Sequence, residues 1–77
     1  MKAPAPDPRP RLLAVAREVA SQRGWPWLEP VEISLSSSGT TGRVWTIHTN
    51  SQERGMNVRI VIRESDESVL QAGYLPR

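Results

Sequence analysis

The sequence predicts an α+β domain in which one N-terminal helix packs on one face of a four-stranded antiparallel meander sheet. Three observations predict it. Apolar side chains recur at spacings of three and four over residues 12–20, later runs alternate apolar and polar side chains, and the connections between those runs are too short for anything but hairpins.

The helix comes first. Asp7-Pro8 or Arg9-Pro10 can open it, because proline suits a first turn in which its missing N–H is not needed. Leu12, Val15, Ala16 and Val19 form the inward stripe, Leu13 and Ala20 widen it, and Arg11, Arg17, Glu18, Gln22 and Arg23 occupy the rest. Gly24 stands where a left-handed C-cap falls, and Pro26 bars continuation. The spacing predicts a helix from about residue 9 to about residue 23.

Residues 24–30 are too broken by proline for a central strand, and Trp25 and Trp27 are expected to plug the gap between helix and sheet. Residues 31–36 then alternate with Val31, Ile33 and Leu35 inward, and residues 37–42 read as a polar hairpin loop. The two clearest strands, 44–49 and 56–63, are joined by a connector that contains Asn50 and Gly55, residues that readily take positive φ. An acidic turn at 64–68 leads to a last short strand at 69–75, which Pro76 ends. The core list is therefore Leu12, Val15, Ala16, Val19, Val31, Ile33, Leu35, Trp45, Ile47, Met56, Val58, Ile60, Ile62 and Leu70. One helix covers one sheet face, so the other face presents Glu32, Ser34, Val44, Thr46, His48, Asn57, Arg59, Val61 and Arg63. Residues 1–8 read as a flexible proline-rich arm and residues 9–77 as a single domain.

Size and composition narrow the function. A chain of 77 residues buries only about 60% of its unfolded surface, which leaves room for one small core. It has no cysteine and one histidine, so neither a disulfide framework nor a thiolate zinc site can be built. Residues 1–10 lack the apolar stretch that a secretory signal requires and no run approaches about 20 apolar residues, so the expectation is a soluble cytoplasmic protein with no membrane partner. The pI of 9.9 accompanies a net charge of only +2, with the excess of arginine concentrated in residues 1–24.

Candidate chemistry is sparse. His48 lies mid-strand beside threonines without the partners that nucleophilic catalysis requires, and it is expected to pair across the sheet with Arg59 or Asn57. The glycines at 39 and 42 lack the lysine and following helix of a phosphate loop, and Glu64, Asp66 and Glu67 lack the spacing of a calcium loop. No catalytic residue, metal ligand or cofactor is assigned. The open sheet face keeps the best claim to function, with Thr46, His48, Asn57, Arg59, Val61 and Arg63 as binding residues, since arginine among apolar neighbours is a common interface composition.

Ala14-Val15-Ala16-Arg17-Glu18-Val19-Ala20 with Gly24, Val44-Trp45-Thr46-Ile47, the run from Gly55 to Ile62, and Ser68-Val69-Leu70 with Ala72-Gly73 make the chain similar to PepSY-like domains and the related small cystatin-like immunity proteins of bacteria. The resemblance covers about residues 12–75. It implies the same helix-then-meander fold and a non-enzymatic inhibitor or immunity role. Glu67 departs from it by standing where the family usually has the glycine of its closing turn, and this sequence shows no leader or membrane segment such as many PepSY proteins carry, so the extracellular protease-inhibitor role often proposed for that family is not expected here.

The expected function is a non-enzymatic protein-binding module whose partner is another protein or a second copy of the chain. Nucleic-acid binding through Arg59, Arg63 and the basic N-terminal segment is one alternative, and a small enzyme or substrate-binding subunit using His48 is another.

Overall fold

The computed structural model describes residues 7–40 and 42–76. Residues 1–6, most of the proline-rich arm, Thr41 between the first two strands, and Arg77, the last residue of the expected domain, lie outside them. One helix, α1 (Arg9–Gln22), precedes four strands, β1 (Glu32–Ser38), β2 (Gly42–His48), β3 (Asn57–Arg63) and β4 (Val69–Leu75), in a single antiparallel sheet of order β1-β2-β3-β4.

α1 is closed at both ends by local chemistry. Asp7 Oδ1 accepts from the Arg9 N–H at 3.0 Å at the start, where backbone donors have no partner within the helix. At the other end Gly24, with φ 72°, lets Trp25 N–H reach Ala20 C=O at 2.8 Å while Gly24 N–H reaches Ser21 C=O at 3.1 Å, the paired bonds of a Schellman motif. Leu12, Ala16 and Ala20, spaced by four, are the fully buried seam, and they share one core with Trp45, Ile47, Val58, Ile60 and Ile62. Leu13, Val15, Val19, Trp25, Trp27, Val31, Ile33, Ala72 and Tyr74 pack around it and are partly buried.

Three residues expected inside are not. Leu35 is 43% exposed and Leu70 is 44% exposed. A helix about 10 Å wide cannot shelter four strands whose outer axes stand roughly 14 Å apart, so inward positions on the flanking strands remain open to water. Leu70 is also the extra residue of a β-bulge, because Val61 pairs with Gln71 while its neighbour Ile62 pairs with Val69. Met56 precedes β3 in the left-handed region at φ 55°, outside the core cluster.

The β2–β3 connection has its own hydrogen-bonded closure. Between β2 and β3, Asn50 and Gly55 take positive φ as their types predict, and Asn57 holds the loop from within. Its Nδ2 donates to the carbonyls of Thr49, Asn50 and Glu53, and its Oδ1 accepts from Gly55 N–H at 2.8 Å. Thr49, also fully buried, offers its Oγ1 to Val58 N–H at 2.9 Å and carries the ladder one step past the strand end. Asn50 and Ser51 N–H groups then donate to the carbonyls of Leu28 and Pro30, tying the tryptophan-bearing segment to the sheet.

Candidate interaction surface

The cross-strand register sorts the open face into rows. Glu32, His48, Arg59 and Gly73 stand side by side, Ser34, Thr46, Val61 and Gln71 form the next row, and Ser36, Val44 and Arg63 the third. Of the six residues predicted as binding groups, Thr46, His48, Arg59 and Val61 therefore come together in two adjacent rows. The expected pairing of His48 with Arg59 is present in the register.

Asn57 does not join them. It is 4% exposed, and its amide is consumed by the loop it organises. Alternation placed it outward, but a strand's first residue can turn its side chain into the preceding loop, and a short amide facing four backbone groups does so. Arg63 keeps its place at the edge of the face but is committed to the next turn. Its Nε and Nη2 meet the two Asp66 oxygens at 3.0 and 2.8 Å in a bidentate pair. The Arg63 guanidinium, with help from the Ser68 hydroxyl and N–H, holds the Asp66 carboxyl well below the usual carboxylate range. The pair likewise raises Arg63.

Arg59 is different. It is exposed, donates through Nη1 to Gln71 Oε1 at 3.3 Å, and among the described residues no carboxylate stands within ion-pair distance of it. Beside it a hollow of about 280 Å³ opens between Arg59, Gln71, Ala72 and Gly73. A Cβ built on Gly73 meets nothing within 4 Å, so the hollow is empty space above the strand. Gln71 and Gly73 were absent from the sequence-derived face. The signal was available: the parity that turns Ala72 and Tyr74 inward turns these two outward.

The remaining arginines on the helix side are engaged. Arg11 meets Glu67 at 3.2 Å, Arg17 lies over the Trp27 ring, and Arg23 lies over Trp25, which itself stacks on Tyr74 at 6.0 Å. A groove of about 610 Å³ runs beside Arg17 and Trp27, with Pro10, Leu13 and Pro30 in its walls. No group of three or more His, Asp or Glu able to hold a metal ion occurs among the described residues. None of their helices is long and apolar enough to cross a membrane.

Comparison with family models, curated proteins and solved structures gives no match to this chain.

Proposed function

We propose that this chain is a non-enzymatic, cytoplasmic protein-binding module that engages its partner through the open sheet face. The observation that carries the reading is Arg59: a guanidinium with one neutral side-chain partner, set on a rigid strand beside Val61, Thr46 and His48. Such a group presents several unused N–H donors to a carboxylate or carbonyl of an incoming chain, and the flanking apolar and hydroxyl groups supply contact area at little cost in side-chain entropy. An inhibitor or immunity-type protein is the concrete form that the resemblance to PepSY-like and cystatin-like domains suggests.

Nucleic-acid binding draws less support, because Arg63 and Arg11 are already bound to Asp66 and Glu67, and among the described residues the open face is left with Arg59 as its guanidinium outside an ion pair. The test is photo-crosslinking from the sheet face in cell extract, comparing wild type with Arg59→Glu and with Arg54→Glu in the β2–β3 loop. Loss of the same crosslinked protein in Arg59→Glu but not in Arg54→Glu supports the reading. Retention in both variants overturns it, and a captured nucleic acid whose binding falls steeply with salt replaces it with the alternative.

A further inference from the structure

We propose that β4 is the seam of a homodimer, its outer edge pairing antiparallel with β4 of a second copy about a twofold axis at Ala72. β4 is the last strand of the sheet, so on its outer side a row of backbone N–H and C=O groups faces no strand among the described residues. Exposed edges are ordinarily guarded by charge or proline. From Val69 to Leu75 this edge has neither; its bulge lies at Leu70, at one end, so Gln71 to Leu75 keep a regular ladder with β3, and Val69, Leu70 and Leu75 are exposed at 39%, 44% and 58%.

The pattern of the strand selects a second copy as its occupant. Pairing about Ala72 sets Leu70 opposite Tyr74 and Gln71 opposite Gly73, twice over. Residues directly opposite in an antiparallel pair share a face. Leu70 and Tyr74 thus meet on the helix side, where exposed apolar surface awaits cover. On the open side Gln71 of each copy lies over the other copy's Gly73, at the mouth of the hollow already bordered by Arg59. No like charges are opposed anywhere in the register. The opposite edge does not share these properties, since β1 carries Glu32 and a serine-rich run and exposes one large apolar side chain, Leu35. A twofold contact is also closed, which stops the sheet from growing beyond two copies through this edge. The join leaves both open faces free and continuous, and it does not depend on what Arg59 binds.

Sedimentation velocity and light scattering over a range of concentrations test it. Wild type is expected to pass from the mass of one chain to that of two. Leu70→Lys introduces its charge twice across the twofold and is expected to raise the dimer dissociation constant by about a hundredfold. Gly73→Val, whose added Cβ meets no atom within 4 Å and whose side chain enters the hollow, is expected to weaken the dimer while circular dichroism and thermal unfolding show the monomer fold intact. Leu35→Lys on the other edge is the control and keeps the dimer. A wild-type chain that stays monomeric at all concentrations overturns the proposal. So does a dimer that survives Leu70→Lys and Gly73→Val, or one lost in Leu35→Lys instead.

Discussion

Trp45 Nε1 donates to Glu64 Oε1 at 2.8 Å, so the indole that sits 8% exposed in the core it shares with Leu12 and Ala16 has its single polar atom satisfied at the end of β3. Arg43 Nε approaches the same oxygen at 3.1 Å, and Glu64 N–H donates to Arg43 C=O at 3.0 Å, so one residue fastens the β2–β3 ladder at that corner. Glu64→Ala leaves the indole N–H without a partner and is expected to cost about 1–3 kcal/mol in urea unfolding. Trp45→Phe removes the donor together with packed volume. The double variant should fall short of the sum of the two by about 0.5 kcal/mol or more, because both remove the same bond. Strict additivity would refute the coupling.

Asn57 makes a sharper test, since its amide donates to three carbonyls and accepts one N–H in a buried setting. Asn57→Ala is expected to destabilise by about 2–4 kcal/mol, the cost of leaving several buried backbone groups unpaired. Asn57→Asp keeps the shape but replaces the donor by a carboxylate facing carbonyl oxygens, so it should be no milder than alanine at neutral pH. Urea midpoints for the two variants decide the matter. A loss below about 0.5 kcal/mol, the size of an ordinary surface change, would return Asn57 to the open face.

The Arg63–Asp66 pair gives a pH dependence of fixed sign. The Asp66 carboxyl is lowered in the folded chain from its ordinary 3.8 by Arg63 and then Ser68, so the folded state holds the proton less tightly than the unfolded state. Its contribution is therefore fully present above about pH 5, and it declines as pH falls below the unfolded value toward the lower folded one. The stability difference between wild type and Asp66→Asn should stay level from about pH 7 to about pH 5 and then narrow below about pH 4. A difference that widened on acidification would reverse the assignment.

These residues also mark how far the sequence carries. The helix end is legible because a Schellman closure needs little beyond a glycine in the right place, and Gly24 supplies it. The parity of β2 and β3 is legible because Trp45, Ile47, Ile60 and Ile62 leave one consistent inward face, and all four lie in the common core. Leu35 and Leu70 are misread because alternation reports which way a side chain points, whereas burial depends on how wide the covering helix is. Asn57 is misread for another reason, and the same reason hides the engagement of Arg63, which does stand on the predicted face: polar side chains on strand ends take the nearest unpaired groups, here a loop's carbonyls and Asp66, and that competition is settled in three dimensions. Arg59, in the middle of its strand with no carboxylate within ion-pair distance among the described residues, remains where alternation put it.

Glu67 offers the last test, because two effects oppose each other in one residue. It stands in the left-handed region at φ 58°, where a side chain costs about 1 kcal/mol relative to glycine, and its carboxylate meets Arg11 at 3.2 Å with that arginine side chain 63% exposed. An exposed pair of this kind is worth about 0–1 kcal/mol, so Glu67→Gly should leave stability within about 0.5 kcal/mol of wild type. Glu67→Ala loses the same ion pair but keeps the strained backbone, and it should lie about 1 kcal/mol below Glu67→Gly. Thermal unfolding of both variants beside Arg11→Ala separates the terms, since Arg11→Ala reports the ion pair with the backbone untouched. If alanine and glycine prove equally stable at 67, the left-handed conformation of the β3–β4 turn is wrong, and with it the closure that sets Val69 opposite Ile62.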